Sequence, residues 1–270
     1  MNRLAIVSLL LLAGCPHRGP EFGPSGEITD AKAMIQLLAK QDTRFVTLQG
    51  NANFKVEAPE NSGSLSQFVA ATLPAELHIE SMAIFGKLVS VVVCAANVFS
   101  VYDPDKNVFY TGPDSVQVFS RFVGGLPFTC SNAVTLLLGH VPRIGVDDGT
   151  LVLDAERHRY LLTLELQGVK QVLEIDTKTL DVVHTVFTGP QSFELTYDDF
   201  KDEPGGRFPH TLVLATGGRT FTYKYKDITL NGAPDLSLFH MDPPKGAKVV
   251  QLDEEGNALP PAGPALDGGH

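Results

Sequence analysis

Several things that reactive proteins carry are scarce or missing here. Of 270 residues only three are cysteine, and Cys15, Cys94 and Cys130 form no CxxC pair, which argues against dithiol redox chemistry. Basic residues are a minority, 21 Lys+Arg against 31 Asp+Glu, for a formal net charge of −10. A chain that acidic, without a basic stripe, is not built for nucleic acid. Beyond the N-terminus no apolar run is long enough to span a bilayer: Leu88 to Val101 is interrupted by Ser90, Asn97 and Ser100. There is no GxSxG elbow, HExxH, Walker loop or GxGxxG. Nothing positive therefore argues for an enzyme, and the reading calls for no cofactor and no metal. The remaining polar candidates read as structural. His78 and Glu80 share one face of a strand without a third ligand, Asp147-Asp148-Gly149 is an acidic turn, and His184 sits alone on a strand.

What is present begins at the first residue. MNRLAIVSLLLLAGC is a basic start (Arg3), an apolar run from Leu4 to Leu12, and small residues before a cysteine. That is the layout of a secretory signal peptide with its cleavage site. Leu12-Ala13-Gly14-Cys15 also resembles the lipobox of bacterial lipoproteins, in which the new N-terminal cysteine carries a diacylglyceryl thioether and an amide-linked acyl chain. Residues 1–14 are then a signal peptide and Cys15 a lipid anchor, held by ~0.8 kcal/mol per buried CH₂. Losing Arg3 leaves 20 Lys+Arg against 31 Asp+Glu, a mature charge near −11. An acidic surface is repelled by anionic headgroups, so the acyl chains must do the holding. Pro16 stands where, by resemblance to known lipoproteins, an Asp would signal inner-membrane retention. The expected location is the outer membrane, facing the periplasm, with the inner membrane and the cell surface as alternatives.

Residues 15–27, rich in Pro and Gly after the cysteine, read as a tether, and 253–270 as a disordered Pro/Gly tail. The folded unit is expected over 28–252. It opens with a helix capped by Thr29, with Ala33, Met34, Ile35, Leu37 and Leu38 on its apolar face. The period then changes to two. Val46, Leu48, Phe54 and Val56 alternate with polar residues, as do Tyr160, Leu162, Leu164 and Leu166, and as do Phe221, Tyr223 and Tyr225. Some ten to twelve antiparallel strands are expected, the last near 236–240, with further helices at 114–123 and 131–139. The fold class is mainly β (α+β): a large curved antiparallel sheet or incomplete β-barrel covered by about three helices. Cys94 and Cys130, an even pair outside the cytoplasm, form either a disulfide or two buried thiols.

The lipobox, first helix, wide sheet and interleaved helices resemble the LolA/LolB family of bacterial lipoprotein carriers. Leu48-Gln-Gly-Asn-Ala-Asn-Phe-Lys-Val56 is similar to that family's first strand, Met82-Ala-Ile-Phe-Gly86 to its early hydrophobic loop, and Phe239–Val249 to its final strand. The resemblance implies a half-barrel under a helical lid with a cavity for acyl chains. It also implies a membrane-contact loop at Ile84 or Phe85, the alternative being that both pack under the lid. Implied partners are acyl chains or lipidated proteins, a soluble periplasmic LolA-like carrier, and the membrane through the lipid anchor. The chain departs from the pattern in its larger domain, its Pro-rich tail, and the lack of an arginine matching the lid latch.

The expected function is therefore a membrane-anchored lipoprotein that binds acyl chains or lipidated proteins, acting in lipoprotein localisation. The candidate cavity lining is Val46, Leu48, Phe54, Val56, Tyr160, Leu162, Leu164 and Leu166. The alternative is a surface-tethered scaffold or interaction lipoprotein in which these residues are solid core. A cavity of several hundred Å³ would separate the two. An envelope hydrolase, the third reading, would need titratable groups clustered in a cleft.

Overall fold

A computed structural model describes residues 19–59 and 62–260; the signal segment, Cys15 and residues 261–270 lie outside it. The first helix, α1 (Ala31–Gln41), is capped by Asp30 rather than Thr29, because the Asp30 carboxylate accepts from the Lys32 and Ala33 N–H groups. Ala31, Met34 and Leu38 form its buried stripe. A first run of strands follows: β1 (Thr47–Glu57), β2 (Gly63–Thr72), β3 (Glu76–Met82), β4 (Leu88–Ala95), β5 (Val98–Asp103) and β6 (Val108–Pro113). Two short helices, α2 (Val116–Phe122) and α3 (Cys130–Leu137), interrupt the strands. Thr129 and Asn132 cap α3 reciprocally. The second run is β7 (Thr150–Asp154), β8 (Arg159–Leu166), β9 (Val169–Asp176), β10 (Val182–Thr188), β11 (Phe193–Glu203), β12 (Gly206–Thr216) and β13 (Arg219–Leu230), closed by β14 (Lys248–Gln251).

All fourteen strands join one mixed sheet, open rather than closed into a barrel, in the order β14-β6-β5-β4-β3-β2-β1-β13-β12-β11-β10-β9-β8-β7. Each run is a meander of neighbouring hairpins. The two are stitched together by β1 and β13, whose register sets Phe54 opposite Tyr223 and Val56 opposite Phe221. Gly50 is required at this seam, since a Cβ there would lie 2.1 Å from the Asp227 carbonyl oxygen. The strand pleat puts alternate residues on an inner face covered by the helices. The disulfide Cys94–Cys130 ties α3 to β4, and Tyr225 Oη donates to the Leu137 carbonyl at 2.6 Å.

Besides the cap of α1 and the strand count, fourteen where ten to twelve were expected, three expectations change. The segment near 236–240 is a 3₁₀ turn (Leu236–Phe239) rather than a strand, begun by the Asp235 side chain accepting from the Ser237 N–H. The last strand is instead β14, and it runs parallel to β6, so the sheet is not wholly antiparallel. Parts of both Pro/Gly segments also pack on the domain. Phe22 packs on Tyr160 with ring centroids 6.3 Å apart, and the Gly23 N–H donates to the Thr177 carbonyl. At the other end Leu252 bridges to Ala258, and the Ser115 hydroxyl donates to the Glu254 carbonyl at 2.6 Å.

Candidate functional site

The inner face is not uniformly filled. On the α1 side the chain packs against itself: Tyr160, Leu162 and Leu164 are at most 1% exposed, and Tyr160 Oη accepts from the Ile28 N–H at 2.9 Å. Three of the expected lining residues are therefore solid core, because the N-terminal segment and its surroundings occupy the space above β8. Leu48 is also core, while Val46, just before β1, and Leu166, at the end of β8, are exposed.

The space lies instead over the seam, between the inner face and the α2–α3 unit. Its floor is a grid fixed by strand register. Leu195, Leu214, Phe221 and Val56 form one row across β11, β12, β13 and β1, while Leu212, Tyr223 and Phe54 form the next. Phe54 and Phe221 stack with centroids 6.3 Å apart. The roof comes from Phe119 of α2, Val123, Leu126 and Phe128 of the connecting loop, and Ala133, Leu136 and Leu137 of α3. The inner part of this cleft has a volume of about 100 Å³. It continues past Phe54, Gln67, Ile79 and Val123 into a wider section of about 400 Å³ reaching Leu65, Val89, Val92 and Tyr110. Of the expected lining, Phe54 faces the cleft and Val56 stands at its rim, where a third, open section of about 550 Å³ begins.

Gln67 and Tyr223 interrupt the apolar lining of the inner part, and the wider section adds Ser81, Ser90 and the Asp103–Lys106 pair. Gln67 donates to Ser81 Oγ at 3.0 Å, both side chains buried. Tyr223 is buried, and among the described residues its hydroxyl has no hydrogen-bond partner. Burial pushes the phenols of Tyr223 and Tyr225 well above their usual range. These groups do not make a catalytic set, and among the described residues no three His, Cys, Asp or Glu side chains gather as metal ligands.

The other polar candidates have structural duties. His78 Nε2 lies 3.0 Å from Glu80 and its Nδ1 2.8 Å from the Leu238 carbonyl, tying β3 to the 3₁₀ turn. The Asp148 side chain accepts from the Gly149 N–H within its own turn. His184 stands 3.7 Å from both Glu174 and Glu194 on neighbouring strands.

Ile84 and Phe85 do not pack under the lid. They form the tip between β3 and β4 and are 77% and 104% exposed, with the tip closed by the Ala83 N–H on the Lys87 carbonyl at 2.8 Å. Phe85 has φ 64°, the left-handed region that a bulky side chain rarely occupies. Among the described residues no helix is long and apolar enough to cross a membrane.

No protein-family model matches the chain, and no curated protein matches it. Solved structures do share its architecture. A Vibrio parahaemolyticus domain, provisionally described as an outer membrane lipoprotein-sorting protein domain, superposes with a TM-score of 0.53 at 11% identity, over 77% of this chain and 95% of that one. A DUF1329 family protein from Desulfovibrio piger gives 0.54 at 13% identity, over 79% and 98%. A LolA superfamily protein from Nitrosomonas europaea gives 0.50 at 14% identity, over 78% and 98%. At these identities what is shared is the fold, one that a LolA superfamily protein and a lipoprotein-sorting domain also adopt.

Proposed function

We propose that this chain is an envelope lipoprotein that binds acyl chains, free or attached to a lipidated protein, in the cleft over the β1–β13 seam. The observation that carries the reading is the cleft itself. Its wider section of about 400 Å³ falls within the ~300–1,000 Å³ common for ligand sites. The inner part is almost wholly aliphatic and aromatic, and the wider section is mostly so, with Gln67, Ser81, Ser90, Asp103 and Lys106 as its polar wall. Each methylene moved from water into such a place contributes ~0.8 kcal/mol, so binding needs no chemistry beyond shape. Cys15, as the lipidated residue, would tether the cleft beside the outer membrane on its periplasmic side. The exposed Ile84–Phe85 tip would dip into that bilayer, and a soluble LolA-like carrier is the natural donor of cargo.

Mass spectrometry of the mature protein, purified without detergent exchange, should detect co-purifying acyl chains. Ala133→Phe, which fills the inner cleft from the roof, should lower loading of a fluorescent fatty acid at least tenfold. If wild-type protein binds no acyl probe under any loading condition, the reading fails. A second reading, a tethered scaffold without a ligand, is favoured by the solid packing of Tyr160, Leu162 and Leu164, a stretch of the inner face filled without a ligand. In that case Ala133→Phe would leave every measured interaction unchanged.

A further inference from the structure

The cleft opens toward one end of the sheet, and that end carries two arginines in an otherwise acidic chain. Arg219 begins β13 and alternates onto the same face as Phe221 and Tyr223, so it continues the cleft floor as its charged last residue. Arg121 hangs from the last turn of α2 on the roof side. Both line the open outer section, together with Val56 and the glycines 124 and 125. Gly124 also borders the wider section, so the two compartments adjoin there.

Each guanidinium is held in place by a backbone carbonyl. Arg219 Nη1 donates to the Gly124 carbonyl at 3.1 Å, and Arg121 Nη1 donates to the Gly256 carbonyl. The loop is shaped around this arrangement: Gly125 has φ +79°, and a Cβ there would lie 2.6 Å from Arg219 Nη1. Most of the five N–H donors of each guanidinium remain available. Among the described residues neither arginine has a carboxylate within 4.0 Å, whereas three lysines at this end of the sheet are paired. Lys55 meets Glu57 at 2.7 Å, Lys106 meets Asp103 at 2.7 Å and Lys87 meets Asp105 at 2.8 Å. Two guanidinium groups without a carboxylate partner thus stand together at the mouth of the cleft. Two planar forks there suit a phosphate or carboxylate, which guanidinium binds with paired, charge-assisted hydrogen bonds.

We infer that the ligand is an anionic amphiphile, its acyl chain in the cleft over the seam and its phosphate or carboxylate head between Arg121 and Arg219. The inference rests on the acyl-binding reading and adds the head group to it. The β3–β4 tip lies at the same end of the sheet, since Val56 faces Gly63 and Ser66 faces Met82. A head group would therefore sit on the side from which Phe85 projects.

The test uses the full mature chain and two probes with one acyl chain each, lysophosphatidylglycerol and the uncharged monoacylglycerol of the same length. Wild type should bind the anionic probe at least tenfold more tightly, with the ratio shrinking in high salt. Arg121→Gln with Arg219→Gln should bring the ratio to about one while leaving the uncharged probe unaffected, and the double Lys variant should restore part of it. Unchanged affinity for the uncharged probe also shows that the variants are folded. Equal binding of both probes by wild type would overturn the head-group site while leaving the cleft standing. Binding of neither probe would remove the cleft reading itself. If inorganic phosphate alone binds as tightly as the anionic probe, the arginines serve a free anion, and the amphiphile is excluded. If the Gln variants lose only attachment to phosphatidylglycerol vesicles, the arginines contact the bilayer surface, and the proposal fails likewise.

Discussion

Opening the Cys94–Cys130 bond, which ties the helical roof to the sheet, should show what the cross-link is worth. The two cysteines are 36 residues apart in sequence, and both are buried. Closing a loop of that size in the unfolded chain restricts it by an entropy equivalent to about 4 kcal/mol at 25 °C. That is a large part of the ~5–15 kcal/mol by which whole domains are stable. The native fold keeps its packing when the bond is opened, so the loss falls mainly on the unfolded side of the equilibrium. Urea unfolding followed by circular dichroism, with and without reductant, should therefore give a reduced protein weaker by about 4 kcal/mol. Its melting temperature should fall by roughly 8–16 °C, at ~2–4 °C per kcal/mol for a domain this large. Cys94→Ala with Cys130→Ala should lose at least as much, since two buried sulfurs also vanish. A reductant effect below about 1 kcal/mol would refute the reasoning, because the roof would then be held by packing alone.

Three further outcomes can be checked directly. Tyr223→Phe should leave the ligand-free protein as stable or up to ~1 kcal/mol more so, whereas Tyr225→Phe, which orphans the Leu137 carbonyl, should lose ~1–3 kcal/mol in urea titrations. Ile84→Ser with Phe85→Ser should lower flotation of the non-acylated Cys15→Ser protein with vesicles about tenfold or more, as expected for ~1.5–3 kcal/mol per inserted side chain, and leave its melting temperature unchanged. Burial pushes the His140 imidazole down to about 4, while the unfolded chain titrates near 6.5. Between those values the unfolded state binds the extra proton, so stability falls as pH drops from about 6.5 to 4, by roughly 3 kcal/mol. His140→Leu should remove that limb from the pH dependence of the urea midpoint.

Long elements were legible because their periodicity reports burial on one face. In β1 the residues Leu48, Gly50 and Ala52 are buried and Asn51 and Asn53 exposed, as the alternation predicts. The four-residue β14 is too short to show a period, and the apolar run at 236–239 turns because Asp235 captures a backbone N–H. The cleft was harder to read for a different reason. Alternation is strongest in β8, but it records that a face is covered, not that space remains above it, and Tyr160 is 0% exposed. The true floor depends on pairing β1 with β13, and much of the roof is the irregular segment 123–128, which carries no period at all. The arginines at the mouth have no local signal, since they come together only through that same pairing.

The seam also sets an order of events. Leu48 and Leu230, which face each other across it, are ~180 residues apart, whereas every other antiparallel pair in the sheet joins consecutive strands. Each meander can zip through short loops as soon as it emerges, but the junction must wait for nearly the whole chain and bear the largest closure entropy. Phe54 and Tyr223 meet only at that junction. A half-made molecule can therefore have much of its sheet and still lack the cleft, so the proposed acyl site arrives last, with completion of the fold.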